Sequence, residues 1–493
     1  MEPPPYPETE SDPTQLLRAA ERGDEGAVKL VLERQDIDPN ASDTKYGRTP
    51  LFWAVEGGHE GVVKMLLQRD DIDLNTADTE YGQTPLERAA LQGHQRIVKL
   101  LLGREDINVN TPGPKSRVAP LGQAAWAGHE RVVELLLERE DINPNIPGTK
   151  YSITPLLWAA RRRHAGVVKL LLERKDIDPN TTETEYGRTP LVWAAQKGHN
   201  RVAELLLERE DIDPNARDHK RGRTPLWWAA DYGYEDIVKL LLKREDVNPN
   251  AADTEYNLTP LQQAAQKGYT GVVKLLLERV DINPNTGDTK YGRTPLILAV
   301  RRGYAGIVAL LLKREDVNPN TADTEYGRTP LLWAVQQGYT GVVASLLKRE
   351  DINPNIADTK CGGTPLWWAA QFGYVRMVKS LLERKDLNPD IRGPTGQTAL
   401  EVAASCKRAG VVKILSQLKH SHPLSRNPAS KPSERYRGSH ELSRPGCGAW
   451  LQKAPPGVRA CIVFAIILFI GLLAIIFVLI FVHSQGNRSR CAE

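Results

Sequence analysis

Five histidines, His59, His94, His129, His164 and His199, recur every 35 residues. Imidazoles in such a row would suit metal ligation or general-base chemistry. From Tyr234 to Tyr374 tyrosine takes the same position, so the position is read as a packing and hydrogen-bonding element. The carboxylates of Asp-Ile-Asp-Pro-Asn, Asp36 to Asn40, open like a calcium loop. They lack its glycine at loop position six, and Gly47 stands where the glutamate at twelve belongs. These segments are read as turns. The five cysteines (Cys361, Cys406, Cys447, Cys461, Cys491) are sparse and form no metal cluster or disulfide framework. No Walker loop or nucleophile elbow is present. The expectation is no catalytic residue, no metal and no cofactor, hence no enzyme. With 65 basic against 61 acidic residues the charge is balanced, which argues against a nucleic-acid binder.

The elements that carry these residues repeat. Marker threonines stand at Thr14, Thr49, Thr84, Thr154 and then every 35 residues to Thr364, with a last one at Thr398. Ala119–Pro120 fills the one double interval. That gives twelve modules over residues 14–419. The threonine is an N-cap and the proline after it a first helical residue. Apolar residues follow at +2, +5 and +6 from the threonine. A Gly–His or Gly–Tyr pair breaks this helix at +9 and +10. A second helix of apolar period follows, as in RVAELLLERE from Arg201, and ends at a proline that cannot continue it. Each unit is an antiparallel helix pair plus a projecting loop.

The pattern TPLxxAAxxGHxxVVxLLL, as in TPLVWAAQKGHNRVAELLL from Thr189, resembles the ankyrin repeat. It covers roughly 400 residues. The resemblance implies an all-α solenoid of stacked units, a partner-binding role, and a concave surface lined by the first helices. Three features depart from the family. The histidine after TPL is absent; charged residues such as Glu208–Arg209 replace the glycine after the second helix; and the period is 35 rather than about 33. Atypical ends, Thr14–Gln15 and TALEVAASCKRAG, read as caps.

Helical angles put +3, +4, +7 and +8 of the first helix on the face away from +2, +5 and +6. Position +4 is tryptophan in six modules: Trp53, Trp158, Trp193, Trp228, Trp333 and Trp368. Two readings compete, a groove for a protein partner and a ladder of tryptophans stacking from module to module. At the doubled sites, Trp227–Trp228 with Tyr232 and Trp367–Trp368 with Phe372, two adjacent rings cannot share one stacking slot. An exposed partner-binding patch is therefore expected there. At the loop tips Lys150, Glu185, Lys220, Glu255, Lys290, Glu325 and Lys360 alternate in sign, which predicts weak attraction between neighbouring tips.

The ends differ from the array. Residues 1–13 read as a disordered, acidic and Pro-rich lead with no signal peptide. Residues 420–459 read as a basic, disordered linker, with seven Lys/Arg against Glu434 and Glu441. It suits anionic lipid headgroups, at about 1 kcal/mol per charge near the surface. Residues 460–482 are 23 uncharged residues, 18 of them Ile, Leu, Phe or Val, enough to span a bilayer as one transmembrane helix. Cys461 at its edge is a candidate for acylation, and 483–493 form a short tail. The expected protein is a single-pass, tail-anchored membrane protein with a cytosolic array acting as a scaffold or adaptor for other proteins. The alternatives are a regulator released by cleavage of the linker, or an accessory subunit of a channel or transporter.

Overall fold

The computed structural model describes residues 14–34, 37–148 and 151–421, the last four by backbone alone. Twenty-four helices and no strand lie among them. The module at Thr189 shows why each pair forms. The Thr189 hydroxyl accepts from the Val192 amide at 3.3 Å, and Pro190 occupies the first turn of helix Pro190–Lys197. Gly198 ends that helix at φ 72, in the left-handed region where a side chain would be strained. The chain then reverses into helix Asn200–Leu207.

Packing follows from residue size. Ala194 and Ala195 are fully buried, so the first helices of neighbouring modules approach closely. Val202, Ala203 and Leu206 close the other side. One apolar core runs unbroken from Leu16 to Leu415. The result is an all-helical repeat solenoid. No unit buries its own apolar face; each depends on its neighbours.

Two polar ladders tie the modules together. The first uses the asparagine that ends each DIDPN-type segment. Asn250 Nδ2 donates to the Asp281 carbonyl at 2.7 Å, and its Oδ1 accepts from the Asn283 amide at 2.7 Å. The same pair of bonds recurs from Asn40 to Asn355. It continues through the irregular module at Asn110. The residue two before each asparagine caps its amide, as Asn248 Oδ1 does for Asn250 at 2.9 Å. The carboxylates and amides of these segments are thus occupied as structural partners.

The second ladder uses the arginine after each second helix. Arg314 grips Asp316 with two nitrogens, at 2.9 and 2.7 Å, and sends Nη1 back to the carbonyls of Leu277 and Arg279 in the preceding module. The arrangement recurs from Arg69 to Arg384. The guanidinium holds the Asp316 carboxyl below its ordinary range. The charged residues that replace the usual glycine are therefore a staple between modules. Four of the five repeating histidines, His94 excepted, do similar work. His129 Nε2 bonds to the Leu91 carbonyl at 3.0 Å, and His164 Nε2 to that of Trp126 at 3.1 Å.

The loop tips differ from expectation. The tip carboxylates pair with arginines of the preceding module, as in Arg48–Glu80 at 2.9 Å and Arg293–Glu325 at 2.6 Å. No tip lysine lies within ion-pair distance of a tip glutamate among the described residues. The lysines sit over tyrosine rings instead, as Lys360 does 4.7 Å from Tyr326. Where an arginine precedes the marker threonine and the next tip is a glutamate, as at Arg48, Arg223 and Arg293, the arginine takes the carboxylate.

The irregular module is stapled differently. In most modules a loop aspartate six residues before the threonine accepts amides of its own turn, as Asp323 does from Tyr326 at 2.6 Å. Gly113 stands there in the irregular loop. Glu87, from the preceding first helix, reaches across and accepts from the Gly113 amide and the Ser116 hydroxyl, each at 2.9 Å. It also closes a capping box on Thr84. The carboxyl is fully buried, and burial pushes its pKa up to about 7.

The readings at 1–13, 460–482, 483–493, Lys150, Cys461 and the linker from 422 onward lie outside the described residues. Among the described residues no helix is long and apolar enough to cross a membrane.

Candidate functional site

The face carrying +4, +7 and +8 of the first helices is the one on which the sequence placed a partner site. The structure divides that site. Trp227 is 1% exposed, Trp367 2% and Trp228 6%, so three of the four doubled tryptophans are core rather than an exposed patch, and Trp368 is half-buried. The reason lies in the next module. Its incoming loop covers position +3, and the Trp227 indole donates to the Leu258 carbonyl at 2.8 Å. Trp367 donates likewise to the Gln397 carbonyl at 3.1 Å. Helical angles for an isolated helix miss that cover. The paired rings also avoid competition by standing edge to face, 5.4 Å apart at Trp227–Trp228 and 5.0 Å at Trp367–Trp368.

What stays open is the outer end of each aromatic column. Tyr232 is 45% exposed and stacks on Trp228 at 6.1 Å. Phe372 is 38% exposed and stacks on the half-buried Trp368 at 5.6 Å. Both columns end on the tyrosine that opens the second helix, Tyr234 or Tyr374.

Position +4 is locked from below. Trp228 Nε1 donates to Asp218 at 3.0 Å, Trp368 to Asp358 at 2.8 Å and Trp53 to Asp43 at 3.1 Å. Each carboxylate lies ten residues upstream and is the one that organises the loop. Trp158 breaks the pattern: Gly148 occupies the aspartate position, and the indole nitrogen is buried without an acceptor.

The second sequence reading, tryptophan stacked on tryptophan, also fails. Among the described residues, no tryptophan ring pairs with a tryptophan of the next module. Arginines lie between them. Arg161 sits 5.7 Å from Trp158 and 4.6 Å from Trp193; Arg188 sits 4.6 Å from Trp193 and 5.4 Å from Trp228. First helices stacked about 8–10 Å apart leave room for one flat group between two rings. A guanidinium fills it and gains cation–π attraction. Burial lowers the pKa of Arg188 and of Arg301, which covers Trp333 at 4.6 Å. Sequence reading missed these arginines, whose signal was the recurring Arg of GRTP and the Arg–Arg pairs at +7 and +8.

No cluster able to hold a metal ion occurs among the described residues. The comparisons with known proteins bear on the fold. The family described as ankyrin repeats, in three-copy units, matches residues 16–112, 121–218, 217–288, 282–358 and 352–426. The chain belongs to the ankyrin-repeat family. Among similar solved structures is the ankyrin repeat domain of Bcl-3, at 23% identity and a TM-score of 0.42, covering 46% of this chain and 100% of that one. No curated protein sequence matches. In ankyrin-repeat terms, Tyr232, Phe372, Trp368 and the arginines at +7 and +8 belong to the first-helix face, while the Asn and Arg ladders hold one repeat to the next.

Proposed function

We propose that this ankyrin-repeat protein is a membrane-held interaction scaffold. The array binds protein partners along its first-helix face, and residues 460–482 keep it at a bilayer with the array in the cytosol. The observation that carries the first half is the face itself. It offers open aromatic ends, Tyr232 and Phe372, on rings fixed by buried aspartates, a stiff surface of the kind that anchors interfaces. Every polar ladder in the array is engaged in holding modules together, which leaves recognition rather than reaction as its use. The second half rests on sequence: 23 uncharged residues, 18 of them large and apolar, follow a linker of net positive charge.

Fractionation of cells making the tagged chain tests this reading. The intact protein should stay with membranes through an alkaline carbonate wash, and a chain lacking residues 460–482 should move to the supernatant. A deletion variant that still pellets after the wash would refute the anchor.

A further inference from the structure

The first-helix face is not uniform in charge. Some of its ionic side chains are matched by a counter-ion. Arg88 is paired with Glu56, and Lys267 lies 3.5 Å from Asp231. Lys197, Arg301 and Arg302 have no carboxylate within ion-pair distance among the described residues, and neither do Arg161 and Arg162. Both are held by rings. Arg162 lies 4.5 Å over Trp126, and Arg161 bridges Trp158 and Trp193. Arg162 is exposed and Arg161 half-buried.

Beside them is a cleft of about 200 Å³ lined by Leu91, Val118, Gln123, Trp126 and Trp158. Its wall includes the one +4 tryptophan whose buried indole nitrogen has no acceptor. The next residue along, Arg163, holds φ 70 where most modules place glycine. A non-glycine residue there carries backbone strain and adds a third positive side chain. Uncompensated guanidiniums, an apolar cleft and an unsatisfied donor thus coincide at one place in the array.

We infer that the cleft between Trp126 and Trp158, with Arg161 and Arg162 at its rim, binds an acidic segment of a partner protein, seating an apolar side chain in the cleft and its carboxylates on the two arginines. The inference rests on the interaction reading of the same face. Guanidiniums fixed on ring faces present their edges for bidentate carboxylate contacts at little further entropy cost. A nucleic acid fits less well: it would need a run of cations, and the neighbouring loop tips alternate in sign.

The test uses the full chain in detergent and a fluorescein-labelled peptide of Glu-Glu-Leu repeats, read by fluorescence anisotropy. Binding is expected to weaken with salt and to fall by about tenfold or more in the double variant R161E/R162E. The milder R161Q/R162Q, whose helical circular dichroism and melt should match the parent, is expected to fall in the same direction. K243E, an exposed charge just after a second helix, should leave affinity unchanged. A chain lacking residues 1–13 should bind as the parent does; tighter binding would mean that the acidic lead is the occupant and would overturn the inference. So would peptide binding that survives charge reversal, which would still leave the face an interaction surface. An oligodeoxynucleotide of similar charge bound more tightly than the peptide, or a parent chain that binds no peptide, would overturn it as well. Membrane fractionation fails independently of all these outcomes.

Discussion

Asn250 offers a test of the ladder that a simple truncation does not. Its amide donates to the Asp281 carbonyl and accepts from the Asn283 amide, both at 2.7 Å. Asn250→Ala removes both bonds. At roughly 0.5–1.5 kcal/mol per bond the cost is about 1–3 kcal/mol. Asn250→Asp keeps the shape and the acceptor, but it turns a carboxylate oxygen toward a carbonyl oxygen. It should therefore be the worse variant at neutral pH, by about 1 kcal/mol or more, although it is isosteric. The pH dependence has a definite sign. Repulsion from the carbonyl favours the protonated acid in the folded state, so the folded pKa of the new aspartate rises above the unfolded value of about 3.9. The stabilising protonated form is present at low pH and lost as pH rises through that raised pKa. The gap between Asp and Ala variants should close as pH falls toward about 4. Urea unfolding followed by helical circular dichroism at several pH values measures this. The array unfolds as coupled neighbours, so amide exchange at the repeats flanking residues 250–283 gives the local readout. If the aspartate variant is as stable as the alanine variant at neutral pH, the ladder is geometry without energy and the reasoning is wrong.

Two other outcomes follow from buried groups. Glu87 has its pKa raised to about 7 from an ordinary 4.5, so its contribution is present below about pH 4.5 and is lost as pH rises through 7; the junction around Gly113 should exchange amide hydrogens faster at pH 8 than at pH 5, and Glu87→Ala should abolish that difference while lowering stability throughout. Trp227→Ala should cost about 3–5 kcal/mol in unfolding free energy, as a large buried side chain whose indole caps a carbonyl, whereas Tyr232→Ala should cost under about 1 kcal/mol; equal costs would contradict the division between core and open rings.

The parts of this structure that were legible in sequence are local. Thr189 and Pro190 announce a helix start, Gly198 announces its end, and the apolar spacing from Val202 to Leu206 announces which side is buried. Each of those signals acts within about ten residues. The contacts that hold the array together act across 31 to 38 residues, as Asn250 to Asp281, Arg314 to Leu277 and His129 to Leu91 do. A near-perfect repeat hides such contacts. When every residue recurs at the same interval, Asn250 looks no different from a turn residue, and Arg314 looks like a substitution for glycine. Periodicity says that copies stack; it does not say which atoms of one copy meet the next. The burial of Trp227 was missed for the same reason, because the cover comes from the loop of the following module.

Departures from the repeat are where cross-module chemistry becomes readable. Gly113 in place of aspartate leaves its loop without an acceptor, and a buried Glu87 in the preceding module answers it. Gly148 in place of aspartate leaves Trp158 without one, and no residue of the described chain answers. The two irregularities are neighbours, one compensated and one not. In a solenoid whose Asn and Arg ladders repeat faithfully, a compensated departure marks how the stack tolerates change. An uncompensated one, beside a cleft and two arginines lacking counter-ions, is where the proposed acidic segment would meet the stack.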